Sequence, residues 1–165
     1  MNDTLSKFFR NEYSDVPIWF LRQAGRHIPE YFEIRAKSDN FIDFCLNPRL
    51  IVESTKLPLK YYDLDAAIVF SDILMIPWAM DRNVRFCKNF GPLLDPMIPG
   101  ETLIKKNISI KKKLEPLKRS ILSLRKDLPK SKSLIGFAGA PWTLACYMIE
   151  GKGSKDFINT RKALW

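Results

Sequence analysis

One histidine, His27, and three cysteines are all the imidazole and thiol groups that this 165-residue sequence offers a metal ion. Cys45, Cys87 and Cys146 are scattered and include no C-x-x-C pair, so neither a disulfide framework nor a zinc site fits. Each reads as a small buried apolar residue. A Ser-His-Asp triad or a zinc hydrolase contained in the chain is equally out of reach. The seven glycines form no G-x-G-x-x-G or G-x-x-x-x-G-K-[ST] loop, and G-x-S-x-G and H-E-x-x-H are absent. No run approaches the roughly 18 apolar residues of a membrane span. The opening MNDTLSKFFRNEYSD is too polar and too acidic for a secretory signal. A soluble cytoplasmic protein with no membrane association is the expectation.

Acidic residues are few only in one place. Of 27 Lys/Arg and 18 Asp/Glu, residues 104–132 hold 11 and 2, which leaves 16 of each sign elsewhere. The net charge of +9 therefore belongs to one segment, IKKNISIKKKLEPLKRSILSLRKDLPKSK. There Leu114, Leu117, Ile121, Leu124 and Leu128 recur at three- and four-residue steps, which predicts an amphipathic helix with a lysine-rich outer face. No aromatic residue is interleaved to stack on bases, so no nucleic-acid partner is expected.

What is present in quantity is apolar: 46% of the chain is hydrophobic and 12% of the chain is aromatic, enough for a substantial core. Val16–Leu21 reads as a buried strand ending in a loop with Arg22, Gly25 and Arg26. SDNFIDFCLN reads as a short helix, and Asn47-Pro48 opens a longer one through Tyr62, with Pro58 a kink or break. Ala66–Phe70 is a continuous apolar run between Asp65 and Ser71-Asp72, as in a strand buried on both faces. A short helix over Ile73–Met80 follows, then a two-strand excursion turning at Gly91-Pro92. After the basic helix, LIGFAGAPWTLACYMIEG gives a strand, a small-residue turn and a helix over Pro141–Glu150. A further helix follows, with Ser154 as its cap.

Buried strands each followed by helices predict parallel α/β architecture, and both a doubly wound sheet and a (β/α)₈ barrel fit. Leu164-Trp165 ends the sequence inside an amphipathic segment without a glycine stop. The expectation is the N-terminal half of a larger TIM barrel, with residues 1–165 forming part of a single domain.

In such a barrel the residues that follow each strand share the ligand-binding face. That rule gathers Arg22 and Arg26, then Ser71 and Asp72, then Gly139-Ala140-Pro141, with Tyr147 two turns into the next helix. Two guanidiniums on a constrained loop suit carboxylate or phosphate; the alternative is that one or both close a structural ion pair with Glu30, Glu33 or another acid. Asp72 has two readings: a cap on the next helix, or an acceptor of N–H groups that stabilises a developing positive charge. Asp63 and Asp65 precede their strand and read as caps or turn residues.

PIWFLRQAGRHIPEY, YYDLDAAIVFSDILMIP and GFAGAPWTLACYMIEG together resemble the uroporphyrinogen decarboxylase family, in order and spacing, from about residue 15 onward. The resemblance implies a single-domain (β/α)₈ barrel about twice as long, a homodimer at full length, and an enzyme of haem biosynthesis of which these 165 residues alone would be an incomplete part. Its reaction would be cofactor-free removal of the four acetate carboxyl groups of uroporphyrinogen III, giving coproporphyrinogen III and carbon dioxide. It further implies that Arg22 and Arg26 hold substrate carboxylates, with Arg22 orienting an acetate for loss. Gln23, Ala24 and Gly25 would line the pocket, Asp72 would meet the pyrrole N–H groups, and Tyr147 would lie near a carboxylate. His27 stands where the family usually has tyrosine. Two alternatives remain at this level: a related methyltransferase of the same superfamily, which the arginine pair disfavours, and a non-catalytic basic binding module, whose mark is steeply salt-dependent RNA binding.

Overall fold

The computed structural model describes residues 3–12, 15–87, 90–98, 101 and 109–163. The chain opens with α1 (Thr4–Phe9), α2 (Glu30–Ala36), α3 (Phe41–Leu46), α4 (Pro48–Lys56), a 3₁₀ turn Leu57–Lys60 and strand β1 (Ala66–Ile68). There follow α5 (Met75–Ala79), strands β2 (Arg85–Cys87) and β3 (Gly91–Leu93), and α6 (Ile110–Lys113). Then come α7 (Glu115–Asp127), β4 (Ser133–Ile135), α8 (Pro141–Glu150) and α9 (Ile158–Lys162). The fold is mixed α/β. It forms two compact units, Met1–Ser71 with Glu115–Phe137, and Asp72–Leu114 with Ala138–Trp165.

The first unit is built on β1 and β4, paired in parallel with Ala67 opposite Leu134. Asn47 divides α3 from α4: its Oδ1 accepts the Arg49 and Leu50 N–H groups (3.0 and 3.3 Å), and Pro48 fills the first helical position. Pro58 ends α4 in the 3₁₀ turn, as expected. One core gathers Ile28, Ile34, Phe44, Leu50 and Leu57; a second gathers Ile51, Ala67, Val69, Leu124 and Leu128; Phe70 packs against both. The basic helix is shorter than its pattern and starts in two pieces, α6 and α7, and residues 104–108 of the segment lie outside the described ones. Its buried face takes Ser120 in place of Ile121, which is exposed. The small Ser120 side chain returns its hydroxyl to Pro116 O (2.9 Å) and lets the face pack.

The sequence reading passed over α1. Asp3 caps it through the Ser6 N–H (3.1 Å) and also takes the Ser133 hydroxyl at the start of β4, while the Thr4 N–H and hydroxyl both reach Ser131 O (3.3 Å). Burial pushes the Asp3 carboxyl up, but the hydrogen bonds from Ser133 and Ser6 outweigh it and hold the group at about 2.

In the second unit β2 and β3 form the expected antiparallel excursion, but Gly91 and Pro92 pair within β3, opposite Cys87 and Phe86, so the turn precedes them. Cys87 is exposed there, contrary to the expectation for all three cysteines; Cys45 and Cys146 are buried. On α9, Ser154 closes the preceding turn through the Phe157 N–H (3.0 Å), and the helix starts only at Ile158. The Glu150 carboxylate, at the end of α8, accepts the Thr160 N–H (2.8 Å) and so ties α8 to α9. Gly151 ends α8 with φ of 75°, and its carbonyl accepts the Leu94 N–H at 2.7 Å. A Cβ there would lie 2.8 Å from Leu94 O and 2.7 Å from Pro96 Cγ. Gly151→Ala therefore combines left-handed strain with a clash, and about 2 kcal/mol of stability should be lost. Urea unfolding monitored at the tryptophans measures it, and an unchanged midpoint would contradict the strain.

Candidate functional site

Val16–Leu21 is extended but is not a buried strand: Val16 is 73% and Leu21 87% exposed. Only its middle is tied to β1's approach, where the Asp65 N–H donates to Ile18 O (2.9 Å) and the Ile18 N–H donates to Asp65 Oδ2 (2.8 Å). Beside β1 proper, Gln23 takes over with its side chain. Its Nε2 donates to Ala66 O (2.8 Å) and its Oε1 accepts the Ile68 N–H (3.0 Å), at 4% exposure. The apolar run that predicted a strand thus ends in a side-chain contact that stands in for one.

Arg22 and Arg26, on either side of this anchor, are exposed. Among the described residues neither guanidinium has an ion-pair or hydrogen-bond partner, so the structural ion pair with Glu30 or Glu33 is not formed; Glu30 instead accepts the Tyr61 hydroxyl. Ala24 and Gly25 are half-buried, and Gly25 O accepts the Ile28 N–H (3.1 Å), with Ile28 in the core. A Cβ at Gly25 would meet only His27 Nδ1, at 3.9 Å, so packing within the described residues does not demand glycine there. The His27 ring lies 6.2 Å from that of Tyr62.

Asp72 and Tyr147 belong to the second unit. Asp72 Oδ1 accepts the Leu74 N–H (2.8 Å) and its carbonyl accepts the Met75 N–H (3.3 Å), so Asp72 closes the turn before α5, whose N-cap is Leu74 without a side-chain cap, and the capping reading is not met. Oδ2 has no hydrogen-bond partner among the described residues. Burial pushes the Asp72 carboxyl above the usual carboxylate range, and the Leu74 N–H only partly opposes it. The Tyr147 side chain is half-buried on α8, and its hydroxyl likewise has no partner among the described residues. Gly139 is required by close approach: a Cβ would stand 2.4 Å from Leu144 Cδ2 and 3.2 Å from Ile73 O.

Sequence reasoning missed Thr55. It is fully buried on α4; its hydroxyl donates to Ile51 O (2.7 Å) and accepts the N–H of Phe70 (2.8 Å), two residues before Asp72. The one available signal was a threonine able to bond back four residues within a helix.

The grooves of the first unit lie elsewhere. One of about 440 Å³ is lined by Arg49, Val52, Glu53, Lys56, Lys60 and Ser123 with Pro48, and contains none of the expected site residues. Among the described residues no cluster of His, Cys, Asp and Glu could hold a metal ion, and no helix is long and apolar enough to cross a membrane. Chemically, the chain presents two exposed guanidinium forks with no partner among the described residues, suited to carboxylate or phosphate. It also presents a half-buried carboxylate with a spare acceptor oxygen.

The family description "Uroporphyrinogen decarboxylase" matches residues 1–165. Curated relatives of that name include those of Nautilia profundicola, 44% identical over 95% of this chain, and Rickettsia felis, 42% identical over 100%. That of Nitratiruptor sp. is 46% identical over 95% of the chain. The alignments cover 46%, 47% and 46% of those proteins, so the chain spans about half the length of the curated relatives it matches. Among solved structures, a methyltransferase from Methanosarcina mazei matches 88% of the chain and 44% of its own with a TM-score of 0.64 and 15% identity, a likeness of fold alone.

Proposed function

Because the chain belongs to the uroporphyrinogen decarboxylase family, we propose that it supplies the N-terminal half of a (β/α)₈ barrel that decarboxylates uroporphyrinogen III to coproporphyrinogen III. The observation that carries the proposal is the pair of exposed guanidiniums with no partner among the described residues, flanking a residue anchored on β1. A loop that fixes its backbone and leaves two cations unsatisfied is built for an anion, and uroporphyrinogen carries eight carboxylates around four pyrrole N–H groups.

In this reading Arg22 and Arg26 hold carboxylates through charge-assisted hydrogen bonds, and Arg22 orients the acetate that is lost. Gln23, Ala24 and Gly25 keep the loop close, and Tyr147 meets a further carboxylate through its unpartnered hydroxyl. Asp72 accepts pyrrole N–H bonds with its spare oxygen. Protonation of the pyrrole ring creates a cation; the C–C bond to the acetate carboxylate then breaks and its electron pair flows into that ring. Carbon dioxide leaves, a proton adds to the methylene carbon to make the methyl group, and the ring then gives up the proton it had gained, which restores the pyrrole. The ring itself is the electron sink, so the chemistry calls for no cofactor, and the ionised Asp72 stabilises the cation. The cytoplasm as location and a homodimer as assembly belong to the same proposal.

Anaerobic incubation with uroporphyrinogen III, followed by separation of the porphyrins by carboxyl number, tests the activity. Products of seven to four carboxyl groups support it; unchanged substrate, in a protein that also fails to bind uroporphyrin, would overturn it. Arg26→Lys keeps the charge but loses the planar fork, and substrate affinity should drop roughly tenfold. Equal affinity in an equilibrium titration would place Arg26 outside the site.

A further inference from the structure

In a parallel ladder, one residue donates its N–H to the carbonyl before its partner and accepts the N–H after it. The Gln23 side-chain amide makes this pattern on β1: it donates to Ala66 O and accepts from Ile68, bracketing Ala67. On the opposite edge, Ala67 pairs with Leu134 of β4. One side-chain amide therefore substitutes for one peptide group of a neighbouring strand. The site is buried, whereas Arg22 and Arg26 around it are exposed. The loop is closed at its far side by Gly25 O and the Ile28 N–H (3.1 Å), with the Ile28 side chain in the core.

We propose that Gln23 is a positioning residue: it clasps the loop to β1 so that Arg22 and Arg26 meet a polycarboxylate at a fixed spacing, and it does not bind that ligand itself. The proposal rests on the polycarboxylate reading above. One N–H and the oxygen of the buried amide are engaged by β1, and ordering the arginines before the ligand arrives removes an entropy loss that binding would otherwise carry.

The test uses the full chain and uroporphyrin as the probe, titrated by fluorescence quenching. Gln23→Met keeps length and apolar bulk and loses both hydrogen bonds, and affinity should fall about tenfold. In an Arg22→Lys/Arg26→Lys background, where the forks are already gone, the same change should cost less than about twofold. Without ligand, hydrogen exchange at the Ile68 and Ile28 amides should quicken in Gln23→Met. Gln23→Glu supplies a pH signature: its carboxylate cannot donate to Ala66 O at neutral pH, and protonation on acidification should restore the donor and slow Ile68 exchange again. Equal losses in both backgrounds would show that Gln23 touches the ligand, and would overturn the proposal. So would unchanged affinity in the parent background, or Ile28 exchange that does not respond. If the parent chain fails to bind uroporphyrin, the polycarboxylate reading fails, and Ile28 exchange still decides for or against the clasp.

Discussion

On the proposed reading, and in a protein that carries the whole barrel, Asp72→Asn should lower turnover of uroporphyrinogen by about a hundredfold or more, about 3 kcal/mol of lost stabilisation of the pyrrole cation. The amide can still accept the Leu74 N–H through its oxygen, so the turn that opens α5 survives. Its effect on stability should be opposite in sense. An acid whose folded-state pKa is raised holds its proton more tightly folded than unfolded, so the ionised form detracts from stability as pH rises through that pKa. Burial raises the Asp72 pKa in this way. Replacing the carboxylate by a neutral amide should therefore leave thermal stability at neutral pH unchanged or raised while turnover collapses. The pH profile gives a second check. With Asp72 acting as the carboxylate, the rate should fall on the acid side at a pH above 3.8, the value of an ordinary aspartate, and Asn should abolish that limb. Near-normal turnover in the variant would remove Asp72 from the chemistry; a matching loss of stability would make its role structural.

Phe44→Ala should destabilise the first unit by about 3–5 kcal/mol, a large share of the total stability of an ordinary domain. Phe44 is fully buried on α3, edge-on to Phe70 at 5.0 Å between ring centres and to Tyr31 at 6.2 Å. The Arg35 guanidinium lies over it at 5.4 Å and over Phe41 at 5.7 Å, while its Nη1 donates to Ser38 O. Truncation removes one wall from both rings and from the cation and leaves a hole that helices on three sides cannot close. Equilibrium urea denaturation reads the loss as a lower midpoint. A shift below about 1 kcal/mol would mean that the aromatic cluster relaxes around the gap. Tyr31, whose hydroxyl pKa is raised by burial in the same cluster, reports locally: in the alanine variant it should ionise at lower pH.

Elements bounded by their own chemistry were legible in the sequence. Pro141 at the first position and Gly151 in the left-handed region set both ends of α8 without help from the rest of the fold. Asn47-Pro48 did the same for the α3–α4 junction. The family, too, was legible, because its residues recur in combination and order. What could not be read was whether an apolar run is covered. Val16–Leu21 and Ala66–Phe70 look alike on paper, yet the first is exposed and the second feeds two cores. Hydrophobic pattern gives the face an element offers, and only long-range packing decides whether that face is met. For the same reason Gln23 looked like one more polar loop residue, because its partners lie 43 and 45 positions away.

The contact that fastens α1 has a consequence for how the chain acquires its shape. Asp3 and the serine that it holds are 130 residues apart, and Thr4 reaches Ser131 across 127. A helix of six residues cannot persist by itself in water. At about 5–20 residues per second of synthesis, the amino terminus emerges several seconds or more before β4 exists to receive it. Throughout that interval α1 has no β4 to dock on. It closes the first unit like a latch that engages only when the strand arrives, and until then its apolar residues, Leu5 among them, stay open to chaperones and to neighbouring chains.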